Sequence, residues 1–234
     1  MDKVTSRRIG QLQEKSLHAA LKAHYAQPGD LIEHSIDGYV IDLVRCSANS
    51  PPQLIEIQTR GLGSLKQKLN NLLERYPLRL VHPIAVERHI TRVDSDGVLV
   101  SRRKSPRHGT LFHVFPELVS LPSLLAHPHL ALEVVLIHEE QIWRDDGQGS
   151  WRRKGWSLAD RRLLTVVESH VLAAPADYAA LLPDTLPPTF TTRDLVQTLR
   201  IPPAVAGKMA YCLRLLEVIR PVGKHRRAIV YQRA

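Results

Sequence analysis

The segment from Asp30 to Gln58 carries the acidic side chains whose spacing best suits chemistry. It reads as three short strands, and the alternation of side chains along strands puts Glu33, Asp42, Glu56 and Gln58 on one face. Like charges that face each other on a sheet destabilise it, so a cation among them would explain this row. Mg²⁺ takes one or two carboxylates together with waters. The segment therefore predicts a divalent-cation site. The opposite face would hold Ile41, Leu43, Ile55 and Ile57.

Two turns set the register of these strands. Asp37-Gly38 is a strong hairpin signal, because a type I′ turn needs positive φ at both central residues. A hairpin closed there sets Glu33 opposite Asp42. A second turn, centred near Asn49, sets Asp42 opposite Glu56. The carboxylates of three strands would then meet at one place.

The elements on either side would hold these strands in position. Apolar residues recur at helical spacing from Ser6 to Ala26, just before the breaker Gln27-Pro28-Gly29. A second helix is predicted from Leu62 to Glu74, and residues 78–86 (LRLVHPIAV) read as a buried strand. The strand–helix–strand connection would be a right-handed parallel crossover. The order of elements is therefore αβββαβ.

This arrangement resembles the PD-(D/E)XK nuclease superfamily, whose core is the same αβββαβ series. The signature of that superfamily is an acidic residue on the second strand and an (E/D)-x-K motif on the third. Asp42 matches the first element, and Glu56-Ile57-Gln58 matches the second with glutamine in place of lysine. The resemblance covers residues 6–86 and implies a restriction-endonuclease-like α/β fold with a mixed central sheet.

The resemblance also implies a mechanism, which is Mg²⁺- or Mn²⁺-dependent hydrolysis of DNA phosphodiester bonds. The implied metal ligands are Glu14, Asp42, Glu56 and the carbonyl of Ile57. Glu14 can also be interpreted as a helix residue that simply faces water. Gln58 cannot act as a base, but it can orient a water or a phosphate. The charge of the missing lysine would come from Lys66 or Lys68 on the following helix.

The middle of the chain carries further basic segments. Residues 101–107 hold Arg102, Arg103, Lys104 and Arg107, which form either a solvated loop or a loop that grips phosphates. Trp151–Trp156 mixes cations with aromatic rings, a combination that can bind nucleic acid. Residues 116–127 are predicted to be a helix, 130–143 a strand with Glu139-Glu140 at its exposed end, and 158–172 a helix capped by Ser157.

After the linker Pro183–Pro188, two short helices are followed by a hairpin over residues 218–232. This arrangement resembles a winged helix-turn-helix domain. From residue 189 onward there are nine Lys/Arg and two Asp/Glu, a net charge of +7. Winged helices also serve as protein-interaction modules, but this charge favours DNA. The candidate DNA contacts are Lys208 and Arg214 on the second helix and Lys224, Arg226 and Arg227 on the wing.

Three regions follow from these patterns. Residues 1–145 would form the nuclease-like domain, 146–188 a basic helical connector with a proline-rich linker, and 189–234 the small winged-helix domain. The net charge of +9 favours a polyanionic partner. Two distant cysteines, and the lack of a signal peptide or a long apolar run, predict a cytoplasmic protein that does not enter membranes. The histidines lack the ordered spacing of a zinc site and are expected at the surface.

The sequence leaves the following functions open. The first is a metal-dependent endonuclease in restriction, repair or defence. The second is a DNA-binding protein or transcriptional regulator with an inactive nuclease-like site, an alternative that Gln58 keeps open. A third is a protein-interaction adaptor without affinity for nucleic acid. Cleavage of both strands of a duplex would require two active sites, hence a homodimer or a partner.

Overall fold

The computed structural model describes residues 16–48, 50–149 and 155–234. The helices and strands follow in chain order. They are α1 (Ser16–Tyr25), β1 (Leu31–Ile36), β2 (Tyr39–Ser47), β3 (Ser50–Ile57), α2 (Lys66–Leu73), β4 (Leu78–Val93), β5 (Leu99–Lys104), α3 (Phe115–Leu118), β6 (Leu130–Asp145), β7 (Trp156–Leu172), α4 (Pro175–Ala179), β8 (Thr189–Phe190), α5 (Thr192–Leu199), α6 (Pro203–Leu215), β9 (Ile219–His225) and β10 (Ala228–Arg233).

The first hairpin forms where the sequence predicts it. Asp37 and Gly38 both have positive φ, at 51° and 81°, as a two-residue hairpin turn of this hand requires. Ile36 pairs with Tyr39 directly across the turn. Further along, the pairs Ile32–Leu43 and His34–Ile41 flank the predicted opposition of Glu33 and Asp42. The register of β1 on β2 is therefore the predicted one.

The predicted common face of β2 and β3 does not extend along the whole of β2. The pairing between these strands ends at Leu43–Ile55, so β2 continues toward its first residue alongside β1 alone. Leu43, Ile55 and Ile57 pack with α1, whereas Ile41 packs in a different cluster with the leucines of α2. The prediction that Ile41 shares the face of these residues is wrong. The pairing of β2 with β3 ends at Leu43, so Ile41 lies where the two strands have already separated.

A seven-stranded mixed sheet forms the centre of the molecule. Its order is β1-β2-β3-β4-β6-β7, and β5 pairs with the outer half of β4. As predicted, β3 and β4 are parallel and are joined by a helical crossover, a 3-10 turn at Leu62–Leu65 that leads into α2. The pairing of β4 with β6 is also parallel, and the other pairings are antiparallel. The predicted mixed α/β architecture is confirmed.

Three elements differ from the prediction. The residues after Ser157 form the long strand β7 instead of a capped helix, and β7 completes the sheet beside β6. The basic segment that begins at Ser101 is largely strand β5 and not a loop. The predicted helix at 116–127 is reduced to the single turn α3, since its prolines interrupt it. Residues 151–154 of the basic aromatic segment lie outside the described residues.

Two hydrophobic clusters cover the two sides of the sheet. Neighbouring residues of a strand fall into alternate clusters, as the pleat requires. The smaller cluster packs α1, through Leu17 and Leu21, onto β2, β3, β4 and β6. The larger cluster packs α2 and α3 onto the other side. The two helices that flank the acidic residues are thus fixed on opposite sides of the sheet.

The C-terminal unit consists of α5, α6 and a small antiparallel sheet of order β8-β10-β9. The predicted inward residues of α6, Val205, Met209, Leu213 and Leu216, are all buried. They belong to the same continuous cluster as the leucines of α2 and α3. Leu186, within the predicted linker, is also buried in it. None of the described helices is long and apolar enough to cross a membrane.

Candidate active site

Asp42 and Glu56 meet where β2 and β3 separate, and we call this pair the carboxylate site. Each lies one position beyond the last pair of the hairpin, Leu43–Ile55. A carboxylate oxygen of Asp42, Oδ2, accepts a hydrogen bond of 2.8 Å from the backbone N–H of Ile57. The Asp42 side chain could not accept this hydrogen bond if β2 and β3 continued to pair at this point. The separation therefore directs the Asp42 side chain toward the end of β3.

Helix α1 supplies the electrostatic partners of Asp42. The Nε2 atom of His18 lies 3.2 Å from Oδ2 of Asp42. Burial alone would raise the pKa of Asp42, but hydrogen bonds from His18 and Ile57, with the charges of His18 and Lys22, hold that pKa below its ordinary value. Asp42 is therefore a carboxylate that stays ionised in a half-buried position.

Glu56 has the opposite electrostatic character. It is only 7% exposed, and its Oε1 lies 2.7 Å from Nζ of Lys68. Burial, and then the charge of Asp42, raises the pKa of Glu56 despite the opposing effect of Lys68. Its second oxygen, Oε2, is buried and has no hydrogen-bond partner among the described residues. Buried polar atoms are usually hydrogen-bonded, so Oε2 adds to the cost of burying Glu56.

The two candidate lysines of α2 are separated by the structure. Lys68 contacts Glu56 and also donates a hydrogen bond of 2.6 Å to the backbone carbonyl of Val40. Lys66, two residues earlier, is exposed on the other side of the helix. Residues two positions apart on a helix do not share a face, which is why only one of them can reach the site.

Lys22 and His18 were missed by the sequence analysis. Lys22 is nine-tenths buried, and its Nζ lies 2.5 Å from Oε1 of Glu33. Their spacing of four residues places both on one face of α1, and this periodicity was the available signal. The sequence does not reveal that this face lies over the carboxylate site. In the structure Glu33 contacts Lys22 and does not join Asp42 and Glu56.

Gln58 holds the loop that follows β3. Its Nε2 donates to the carbonyl of Arg60 at 2.6 Å and to Oγ of Ser64 at 3.2 Å. Its backbone carbonyl accepts a hydrogen bond of 2.7 Å from Nδ1 of His82, a buried side chain whose pKa is lowered by burial. The expectation that histidines are surface residues is wrong for His82. Gln58 thus fixes the loop between β3 and the crossover.

The residues that could hold a cation are Asp42, Glu56 and the carbonyl of Ile57. Among the described residues no group of three or more His, Cys, Asp and Glu side chains has the geometry of a metal site. The fourth predicted ligand, Glu14, lies outside the described residues. Two carboxylates and a carbonyl nevertheless agree with the hard oxygen ligands that Mg²⁺ prefers, with waters completing the shell.

The basic residues assigned to phosphate contacts divide into two groups. In the first, Arg102 pairs with Glu140 at 3.0 Å, and Lys104 pairs with Glu87. The second group is exposed and has no ion-pair partner among the described residues. It consists of Arg103, Arg107, Lys208, Arg214, Lys224, Arg226 and Arg227. Arg226 and Arg227 form the two-residue tip of the β9–β10 hairpin, since His225 pairs with Ala228.

Glu139 was predicted to lie at an exposed strand end, and this prediction is wrong. It is completely buried in the middle of β6. Arg88 of β4 contacts its Oε1 at 2.6 Å, and Arg161 of β7 contacts its Oε2 at 2.5 Å. Because β6 pairs with β4 on one side and with β7 on the other, this carboxylate joins three neighbouring strands. It belongs to a cluster separate from the carboxylate site.

The chain is similar to known sequences but not to known structures. Residues 15–173 match the family model described as "Domain of unknown function (DUF8091)". These limits agree with the start of α1 and the end of β7. A relative from Treponema pallidum (strain Nichols), described as "Uncharacterized protein", is 34% identical over 215 residues, which cover 92% of this chain and 81% of the relative. No solved structure matches. The chain therefore belongs to the DUF8091 family.

Proposed function

We propose that this protein is a divalent-cation-dependent nuclease that hydrolyses phosphodiester bonds in DNA. The observation that carries the proposal is the carboxylate site. A buried Glu56 with a raised pKa lies beside an Asp42 whose pKa is lowered, at the point where two strands of an αβββαβ unit separate. Acidic groups with perturbed pKa values in a folded interior are candidates for functional sites.

Asp42, Glu56 and the carbonyl of Ile57 would hold Mg²⁺ or Mn²⁺. When bound, such an ion lowers the pKa of a water and offsets negative charge on phosphoryl oxygens. The remaining chemistry belongs to the side chains around the ion. His18 and the N–H of Ile57 keep Asp42 ionised and oriented, which a metal ligand requires.

Lys68 is the cation that replaces the motif lysine in this proposal. Its ammonium lies 2.7 Å from Oε1 of Glu56, and its bond to the Val40 carbonyl fixes it there. A cation held in this position can stabilise the negative charge that develops on a phosphate in the transition state. Gln58 serves as a positioning residue, because its amide holds the loop after β3.

The C-terminal unit would bind the DNA duplex. Two helices followed by a β-hairpin, with the net charge of +7 concentrated there, agree with a winged helix. Lys208, Tyr211 and Arg214 follow one exposed face of α6, while the tip of the β9–β10 hairpin carries Arg226 and Arg227. A recognition helix in the major groove, with a basic wing on the phosphates, would use these two surfaces.

A second candidate is a DNA-binding protein whose nuclease-like site is inactive. The observation that favours it is Gln58, whose amide is engaged by its own loop and leaves no lysine at the motif position. In this case Lys68 would be a permanent counter-ion of Glu56 rather than a contact to substrate. The C-terminal unit would then carry the function.

A cleavage assay separates the two candidates. Plasmid and single-stranded DNA would be incubated with Mg²⁺ or Mn²⁺ and wild type, Asp42→Ala, Glu56→Ala or the control Glu74→Ala, which changes an exposed carboxylate at the end of α2. The nuclease proposal predicts metal-dependent cutting by wild type and Glu74→Ala only. Tight, salt-sensitive binding without cutting would support the inactive DNA-binding protein. Cutting that persists in both site variants would contradict the assigned site.

A further inference from the structure

A cavity lies apart from the carboxylate site, and we call it the arginine pocket. Its volume is about 370 Å³, and its walls include Arg88, Arg107, His108, Gly109, His113 and Arg161. Cavities of this size hold small molecules or the end group of a larger ligand. Of these wall residues, only Arg107 was among the predicted phosphate contacts.

The residues around the arginine pocket carry a net positive charge. Arg88 and Arg161 share one carboxylate, the buried Glu139, so their pair retains an excess positive charge. Arg107 adds a third guanidinium, which has no ion-pair partner in the described part of the chain. Glu139 also orients the other two, since both of its oxygens are occupied by them. The pocket thus presents two arginines that Glu139 holds in place and a third, Arg107, that is exposed, and together they are only partly neutralised.

His113 is a wall residue of the pocket whose tautomer is defined by its contacts. Nδ1 of His113 accepts a hydrogen bond of 3.0 Å from the backbone N–H of Thr110. The proton of the neutral ring therefore resides on Nε2, which makes that atom a donor. This contact belongs to the turn that begins at Thr110, so the ring orientation is set by the backbone.

The wall segment that carries Arg107 and His113 requires glycine at position 109. A Cβ atom at Gly109 would lie 2.6 Å from the carbonyl oxygen of Ala85 and 2.6 Å from Cγ2 of Ile84. The backbone N–H of Gly109 instead donates to that carbonyl at 2.9 Å. The segment carrying Arg107, His108 and His113 is therefore held directly against β4. Its arginine and histidines are brought to the pocket by main-chain packing, which favours a preformed site.

We propose that the arginine pocket binds a phosphomonoester group. A phosphate dianion matches the excess positive charge, and guanidinium groups bind phosphate oxygens in pairs of parallel hydrogen bonds. The pocket also adjoins the loop after Gln58, since Nη1 of Arg161 donates to the carbonyl of Thr59 at 3.4 Å. The phosphate has two chemical sources, the terminal phosphate of a nucleic acid strand and a free nucleotide. The first source rests on the proposed nuclease function, and the anion site itself does not.

Binding of labelled oligonucleotides tests the proposal without any cleavage. Single-stranded DNA with a 5′-phosphate, a 3′-phosphate or two hydroxyl ends would be titrated with the full chain in EDTA, with fluorescence anisotropy as the readout. Inorganic phosphate and deoxyadenosine monophosphate would be titrated separately by calorimetry. The variant is Arg107→Ala, which breaks no ion pair among the described residues, and the control is Arg75→Ala, which removes the same charge at the far end of α2.

The expected result is a preference of roughly tenfold for one phosphorylated end, the effect of hydrogen bonds to a charged group. Arg107→Ala should abolish this preference, and Arg75→Ala should retain it. Binding of the nucleotide and inorganic phosphate alone, sensitive to Arg107→Ala, would support the pocket with a free nucleotide as its ligand. Equal affinity for all ends, with no binding of the small anions, would overturn the proposal. Because metal is absent, this failure is distinct from a failure to cleave DNA.

Discussion

At the scale of single residues, the carboxylate site contains two acids with opposite behaviour. Asp42 receives hydrogen bonds from His18 and Ile57 and has a lowered pKa. Glu56 is more deeply buried, lacks a partner for one oxygen among the described residues and has a raised pKa. In the proposed cation site, Asp42 would be the ligand that is already ionised, and a bound cation would stabilise the ionised form of Glu56.

Replacement of Glu56 tests this difference through stability. Because the folded-state pKa of Glu56 is raised, its ionised form costs stability at pH values above that pKa, and the cost disappears as the pH falls through it. Glu56→Gln should therefore have a higher Tm than wild type at alkaline pH, and the difference should shrink toward acidic pH. Thermal melts across pH measure this, and a difference that does not vary with pH would contradict it.

The two lysines of α2 form a matched pair for a second test. Lys68 contacts Glu56, whereas Lys66 is exposed. Lys68→Met should lower the rate of metal-dependent DNA cleavage by about a hundredfold, the usual effect of removing one group that stabilises transition-state charge. Lys66→Met should leave the rate close to that of wild type. Equally slow cleavage by both variants would mean that α2 contributes only general positive charge.

At the scale of elements, buried charges connect the strands of the sheet. Glu139 on β6 is bonded to Arg88 on β4 and Arg161 on β7. Burial alone would raise its pKa, but the charge of Arg161 and the hydrogen bond and charge of Arg88 lower it. A carboxyl group whose pKa is lowered in the folded state stabilises the fold at pH values above its ordinary pKa. This stabilisation is lost as the pH falls through the folded-state pKa. These contacts fix the edge strand β7.

Neighbouring glutamates on β6 allow this to be measured. Glu139→Gln should destabilise the fold by about 3 kcal/mol, as expected when one member of a buried charge cluster is removed. Glu140→Gln breaks the more exposed contact to Arg102 and should cost about 1 kcal/mol or less. Urea unfolding at neutral pH would give both values. A cost for Glu139→Gln no larger than that for Glu140→Gln would mean that β7 is held by backbone pairing and packing alone.

Local signals explain which elements the sequence could predict. Asp37-Gly38 determines its turn by backbone sterics alone, so β1 and β2 were predicted in the correct register. Strand β7 was missed because three irregularities in its pairing with β6 disturb the alternation of polar and apolar residues. Ser157 also imitates a helix cap. A long partner strand, remote in sequence, overrode these local preferences.

The same reasoning applies to the carboxylate site. Asp42 and Glu56 were predicted to face each other because the hairpin register is local. The contributions of His18 and Lys22 could not be predicted, since they depend on how α1 crosses the sheet. Burial of Glu139 likewise depends on the lengths of β6 and β7, which composition does not determine.

At the scale of the whole molecule, the C-terminal unit and the sheet share one hydrophobic cluster. Leu195 and Met209 of the C-terminal unit belong to the same cluster as Leu69 of α2 and Leu118 of α3. This shared packing holds the basic face of α6 and the β9–β10 hairpin in a fixed relation to the sheet. DNA bound by the C-terminal unit would therefore be presented to the rest of the protein in one orientation.

The wing provides the test at this scale. Simultaneous replacement of Lys224, Arg226 and Arg227 by Ala should weaken DNA binding and flatten its salt dependence, by about 0.9 in log–log slope for each phosphate that the variant no longer neutralises. A control with Arg75, Arg144 and Arg162 replaced by Ala removes the same charge elsewhere on the surface. Anisotropy titrations at several salt concentrations give the slopes. Equal slopes for the two variants would mean that net charge, and not the wing, attracts DNA.

The most direct test of the carboxylate site is the binding of Mn²⁺, followed by calorimetry or electron paramagnetic resonance. Loss of a group that merely supports a metal ligand commonly costs tenfold or more in affinity. Glu56→Gln and Asp42→Asn should therefore each lower Mn²⁺ affinity by at least about tenfold, while Glu74→Gln should not change it. If wild type and both site variants bind Mn²⁺ equally well, or none binds it, Asp42 and Glu56 do not form a cation site.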